Sequence, residues 1–224
     1  MKLFLFDIDG TLIDSGGAGT RALELAFKEL FSIRHAFQGI AMAGKTDIEI
    51  IKEALNKYQI PANDGVIPAV TSSYLRHLSV EVHNDRKHLK PGVRDVLDRL
   101  SERPDCHLGL LTGNIEEGAR IKLGAFDLNR YFSFGAFGSD NEDRRKLLPL
   151  AVKKFKNITG KTVNYSSCIV IGDTPRDVHC AKPYGALSVA VATGPYAVEH
   201  LRETGADVVL RTLSDGGALF KLLD

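Results

Sequence analysis

The sequence predicts a three-layer α/β fold, a parallel sheet with helices on both faces, interrupted after its first strand by an all-helical insertion. Three observations carry this. The chain opens on a short apolar run, Leu3 to Phe6, of the kind found in strands buried on both faces. From Pro91 onward, strand-sized apolar runs alternate with helix-sized amphipathic segments, which implies right-handed crossovers between parallel strands. Between these parts, Gly16 to about Lys87 has helical periodicity and no convincing strand. The expected organisation is a core of residues 1–15 and 88–224 around a helical unit of residues 16–87.

In chain order, the opening strand ends in Asp7 and Asp9, and Gly10 permits a tight turn just beyond. Gly16 to Gly19 is a glycine-rich hinge, followed by a helix with Leu23, Phe27, Leu30 and Phe31 on one face. Thr46-Asp47-Ile48-Glu49 has the form of a capping box, and Ile48, Ile51, Leu55 and Tyr58 mark the buried side of the helix it starts. Pro61 stops that helix, and another runs from about Asp64 to Val82. After Pro91-Gly92, Val93, Val96, Leu97 and Leu100 form an amphipathic helix, and Leu108 to Leu111 a strand ending in Thr112-Gly113-Asn114. Then come a short strand from Phe132 to Phe137, a helix from Lys146 to Phe155 and a strand from Cys168 to Ile171 ending in Gly172-Asp173. Leu187 to Val191 is a further strand, and Val208 to Leu210 closes the sheet.

Composition excludes more than it identifies. With 29 Lys+Arg against 28 Asp+Glu, no global field points to nucleic acid or a membrane surface, so an anionic substrate must be held by local groups. No run approaches a membrane span and the start has no signal-peptide pattern, so the expectation is a soluble cytoplasmic protein, a monomer or homodimer. Cys106, Cys168 and Cys180 contain no C-x-x-C pair and are expected to be buried reduced thiols. The histidines show no zinc-ligand spacing, and His179, nearest a motif, is expected on a helix surface.

Asp7 and Asp9 repel one another unless a cation, a shared proton or solvent relieves them. A hard divalent ion such as magnesium, which accepts one or two carboxylates beside substrate phosphate oxygens, is the simplest relief; a solvated turn at Asp9-Gly10 is the alternative. Three strand ends carry polar groups able to meet at one sheet edge: Asp7/Asp9, Thr112-Gly113-Asn114 and Asp173 through Asp177. Together they supply a nucleophile, donors and cation ligands, the parts that phosphoryl transfer requires.

The stretch F-D-I-D-G-T-L-I-D-S resembles the first motif of the haloacid dehalogenase superfamily, in the D-x-D-G-T form of its phosphatases. The resemblance, closest to the phosphoglycolate phosphatase-like branch, implies a Rossmann-like core with a helical cap inserted after the first motif. It implies that Asp7 is the nucleophile and Asp9 the acid/base, and that Thr112, with Gly113 and Asn114, binds the phosphoryl group. Magnesium would be held by the Asp7 carboxylate, the Asp9 backbone carbonyl and Asp173, with Asp177 holding the metal's water shell or a cationic side chain. The K-P-x-P third motif is missing. Arg144 is the first candidate to replace its lysine, then Arg145 as a phosphate contact, then Lys146. The implied substrate is a small phosphorylated metabolite, with Lys45 reaching it from the cap. The same superfamily offers a phosphonate hydrolase, for which Lys45 would form the Schiff base, and a sugar-phosphate mutase, whose usual cap histidine is missing near Gly19 and Thr20.

One rival motif stands apart. Gly39 to Thr46 matches G-x-x-x-x-G-K-[ST], a nucleotide-binding P-loop, but Phe31 to Gln38 contains Arg34 and His35 and gives no buried strand ahead of it.

Overall fold

A computed structural model describes residues 1–215 and 217–223 of the chain. Its main sheet is parallel, with strands in the order β5-β4-β1-β6-β7-β8. The strands are β1 Lys2–Phe6, β4 Cys106–Leu111, β5 Gly135–Ala136, β6 Cys168–Gly172, β7 Leu187–Val191 and β8 Val208–Leu210. The first strand therefore lies in the middle. Its alternating residues separate to opposite faces: Phe4 and Phe6 enter one apolar cluster, with Val96, Leu97 and Phe132, while Leu3 and Leu5 enter the other, with Leu148 and Phe155. That two-sided burial explains why the run has no polar alternation.

Helices cover both faces: α4 Val93–Ser101, α5 Glu116–Gly124, α6 Leu147–Thr159, α7 Pro175–Ala181, α8 Val198–Glu203 and α9 Gly217–Phe220 follow the insertion in chain order. The insertion consists of α1 Ala18–Phe31, α2 Asp47–Lys57 and α3 Val66–Glu81. Its buried cluster is built on Ala18, Ala22, Leu23, Ala26 and Phe27 of α1, and the alanines let α3 approach closely. Phe27 packs edge-on against Phe31 and Phe37, with ring centroids 5.3 and 4.8 Å apart. Leu30 departs from the expected helix face and is exposed, because the stripe facing α3 is centred on the alanines.

Two features escaped the sequence reading. A two-residue ribbon, β2 Ile13–Asp14 against β3 His88–Leu89, ties the insertion's entry to its exit. The segment Phe132 to Phe137 contributes only Gly135–Ala136 as strand, since Asn129–Tyr131 is a short 3-10 turn and Phe134 turns onto Phe155 at 5.4 Å. The three cysteines are free and buried, and among the described residues no helix is long and apolar enough to cross a membrane.

Phe27→Ala should cost about 3–5 kcal/mol of stability in urea denaturation, because it opens a cavity at the centre of the insertion's cluster. A loss below about 1 kcal/mol would show that this cluster is not a packed core.

Candidate active site

Parallel pairing brings the strand ends together. Phe6 is in register with Leu110 of β4 and Ile171 of β6, so Asp7, Thr112 and Asp173 leave the sheet at the same edge, beside the crevice where open α/β sheets bind ligands. The backbone N–H of Asp7 still donates to Ile171 O (2.9 Å) and that of Thr112 to Ala136 O (3.0 Å), so both residues sit on rigid sheet geometry. Gly10 turns the chain back with φ 82°, and a Cβ there would stand 2.3 Å from Asp173 Oδ2. Glycine is required at that position both for the left-handed backbone and for the space.

Carboxylate oxygens of Asp7, Asp173 and Asp177 lie within 4.8 Å of one another, all buried. Burial raises the Asp7 pKa to about 6, against the pull of Arg144 and with help from the Asp177 and Asp9 charges. Burial, then Asp7 and Asp177, raise Asp173 well above the usual carboxylate range, although the Thr11 hydroxyl donates to its Oδ1 at 3.0 Å. A buried set of hard oxygen donors whose charges oppose one another fits a small divalent cation such as magnesium. Asp9 is outside this set, because its carboxylate turns to Asn114 and Lys122.

Arg144 is buried, with one guanidinium nitrogen 3.1 Å from Asp7 Oδ1 and bonded also to Asp177, while Nη1 donates to Gly44 O at 3.1 Å. Its Nε is buried without a hydrogen-bond partner among the described residues. Burial opposes the charge, yet Asp177 and Asp7 outweigh it and hold the guanidinium's pKa above its ordinary value. The expectation for Arg145 needs correction. Residues Arg144–Lys146 form a single 3-10 turn, whose side chains point about 120° apart, so one reaches the sheet edge. Asp143 caps the turn and holds Arg145 outward through 3.0 Å contacts, and Lys146 is exposed.

Thr112 and Asn114 form one unit: Asn114 Nδ2 donates to Thr112 Oγ1 (2.8 Å) and to Asp9 Oδ2 (2.9 Å). Gly113 lies where the insertion docks. A Cβ there would be 2.2 Å from Lys45 O, and Gly113 O accepts from Asp47 N at 2.8 Å. Asp177 completes a capping box with Thr174 at the start of α7 and accepts from Arg144, and His179 is exposed on that helix.

Lys45 lines the cavity over Asp7, of about 260 Å³, with Thr20, Met42 and Ile50, and its ammonium pairs with Glu53. Thr46 caps α2 through Glu49 N, but the Glu49 side chain pairs with Arg176 instead of closing the capping box. The Gly39 to Thr46 segment follows a turn, with no strand ahead of it, so it lacks the strand a P-loop bridges from.

Three site residues were not anticipated. Lys122 of α5 is buried and bonds Asp9 Oδ2 and Asn114 Oδ1, both at 2.6 Å. Burial disfavours its charge, but Asp9, Tyr74 and Asp47 outweigh that and raise its pKa. Asp47, the first residue of α2, accepts from Ile115 N at 2.9 Å; burial pushes its pKa up to about 6 against the pull of Lys122. Tyr74 of α3 is buried, and burial, then the Asp47 charge, raises its pKa. The signal for Lys122 was a lysine in register with Gly118, Ala119 and Leu123 on the buried face of a helix.

Comparison with known proteins agrees with this geometry. The family model described as haloacid dehalogenase-like hydrolase matches residues 1–185. A phosphoglycolate phosphatase of Aliivibrio fischeri is 27% identical over 213 residues, covering 93% of this chain and 92% of the relative. The pyrophosphatase PpaX of Listeria monocytogenes is 24% identical, covering 94% of this chain and 92% of its own length. Among solved structures, CbbY from Rhodobacter sphaeroides in complex with phosphate superposes with a TM-score of 0.75 at 17% identity, covering 96% of each chain.

A carboxyl whose pKa is higher folded than unfolded binds extra protons in the fold, so its contribution to stability is present at low pH and lost as pH rises. For Asp47 the window runs from its ordinary 3.8 to about 6. Asp47→Asn keeps an acceptor for Ile115 N without the charge. Relative to it, the unmodified protein should lose about 1–3 kcal/mol between about pH 4 and pH 7 in parallel denaturation series. A difference that does not change with pH would contradict the assignment.

Proposed function

Because the chain belongs to the haloacid dehalogenase-like hydrolases, we propose that it is a magnesium-dependent phosphatase acting on a small phosphomonoester such as phosphoglycolate. The observation that carries this reading is the buried Asp7, Asp173 and Asp177 cluster faced by Arg144. In the proposed reaction an Asp7 oxygen attacks phosphorus, and the ester P–O bond breaks as Asp9 gives its proton to the leaving alkoxide. Asp9 then takes a proton from water, whose oxygen displaces Asp7 and releases inorganic phosphate. Thr112, the Gly113 and Asn114 segment and the unpartnered Arg144 Nε would receive the peripheral phosphoryl oxygens.

The metal would be held by Asp7, the Asp9 carbonyl and Asp173, with Asp177 fixing Arg144 beside them. When bound it offsets charge on the transferring group. We take residues 16–87 as a cap over a Rossmann-like core, and the free buried cysteines support a reducing cytoplasmic setting. The cavity size favours a small leaving group. Lys45 lines the cavity and is paired with Glu53, a placement that supports contact with a substrate carboxylate.

A phosphoester panel assayed with magnesium and after chelation tests the class: phosphate release should require the metal and vanish in Asp7→Asn. Arg144→Ala should fall at least about a hundredfold in kcat/KM while Arg145→Ala stays within about threefold. Metal-independent turnover, activity of Asp7→Asn within about tenfold of the unmodified enzyme, or the reverse arginine ranking would count against these roles. Lys45→Ala should reduce kcat/KM roughly ten- to a hundredfold on a carboxylate-bearing phosphate, far more than on an aryl phosphate. Equal losses on both would assign Lys45 to cap closure.

A further inference from the structure

We propose that Asp47 of the insertion is a positioning residue that sets the shape of the loop receiving the phosphoryl group. The inference rests on the phosphatase reading above and adds to it a residue that acts through Gly113 and Asn114. Past Leu111, β4 no longer pairs with its neighbouring strands. Thr112 N still reaches Ala136 O, but the next backbone groups, at Gly113 and Ile115, are buried where a polar group needs a partner. Asp47 supplies two. Its N–H, which α2 leaves without an intrahelical acceptor because Asp47 is the first residue of that helix, donates to Gly113 O at 2.8 Å. Its Oδ2 accepts from Ile115 N at 2.9 Å.

One residue therefore brackets Asn114 from both sides, while Gly138 N donates to Asn114 O at 2.8 Å and fixes the peptide between. The two surfaces meet backbone to backbone, since a Cβ on Gly113 would stand 2.2 Å from Lys45 O. The Ile115 side chain, though it belongs to the core, is buried in the insertion's apolar cluster. The peptide planes from Thr112 to Ile115, and with them the donors offered to a phosphoryl group, thus take their orientation from the docked insertion. Such coupling is reciprocal: an anion seated in the loop must hold the insertion down as firmly as the insertion holds the loop.

The test compares Asp47→Ala, which removes the acceptor for Ile115 N, with Asp47→Asn, which keeps one. The probe is inorganic phosphate with magnesium, titrated by calorimetry, beside kcat and KM on an aryl phosphate and on a carboxylate-bearing alkyl phosphate. Asp47→Ala should bind phosphate about tenfold more weakly and raise KM about tenfold on both esters alike, because the peripheral oxygens are common to both, with kcat within about threefold. Asp47→Asn should stay within about threefold throughout. A residue needed only for folding would lower the active fraction, and so kcat, and leave KM and phosphate affinity alone. Hydrogen exchange read by mass spectrometry is independent of turnover: phosphate with magnesium should slow exchange in residues 44–50 of the unmodified protein and of Asp47→Asn, and not of Asp47→Ala. Unchanged phosphate affinity in Asp47→Ala would overturn the proposal by showing the loop to be self-supporting. A loss confined to the carboxylate-bearing ester would overturn it in favour of Lys45, and an Asp47→Asn enzyme as impaired as Asp47→Ala in favour of the charge that faces Lys122. If Asp47→Ala does not fold, the other two proteins decide: phosphate affinity of Asp47→Asn within about threefold, with slowed exchange in both, supports the proposal, and a larger loss or no slowing overturns it. Failure of the unmodified protein to release phosphate from any ester would remove the phosphatase reading and this inference with it, whereas an active enzyme whose phosphate affinity is indifferent to Asp47 would remove the inference alone.

Discussion

The constraint on which the structure turns is the crowding of like charges at the ends of its two central strands, β1 and β6. Asp7, Asp173 and Asp177 are taken out of water at one sheet edge, and burial together with mutual repulsion pushes Asp7 and Asp173 upward. Such an arrangement is unfavourable unless cations repay the lost hydration. Arg144 supplies one, bridging Asp7 and Asp177, and the remaining carboxylate surface suits a hard divalent ion. The rigidity of the central strands is what allows the carboxylates to be held so close. A loop would let them turn away to solvent.

The same charges tie the helical insertion to the sheet. Arg144 reaches the insertion through Gly44 O, Asp47 N donates to Gly113 O, and Thr46 Oγ1 donates to Glu142 O at 3.0 Å. These bonds involve backbone groups brought close by Gly113 and Gly138, where a Cβ would collide with Lys45 O and Gly113 O. The pairs Arg176 with Glu49 and Lys52 with Glu142 join the same surfaces but are solvent-exposed, and such pairs contribute little. Closure over Asp7 is therefore a matter of backbone fit and of buried charge.

Much of this was legible in the sequence where local pattern and tertiary environment agree. The apolar run at Leu3 to Phe6, the strands at Leu187 to Val191 and Val208 to Leu210, and the alternation after Pro91 each carry their burial in their composition. What was not legible depends on partners distant in sequence. The β2 and β3 ribbon is too short for any periodicity, and Glu49 abandons its cap for Arg176, 127 residues away. Arg144 and Arg145 are equivalent as letters. Only the pitch of a 3-10 turn and the grip of Asp143 separate them. Lys122 and Asp47 belong to helices with ordinary amphipathic patterns, and their meaning arises where α2 meets α5.

The central claim is that Asp7 takes up the phosphoryl group while Asp9 manages the proton. Its most direct measurement is acid quenching of an Asp9→Asn variant incubated with magnesium and an aryl phosphate, followed by mass spectrometry of its peptides. The account predicts a phosphoryl group on the Asp7 carboxylate, trapped because the variant can no longer activate water. An unmodified Asp7 in a variant that still cleaves the ester, or a phosphoryl group on any other residue, would contradict it.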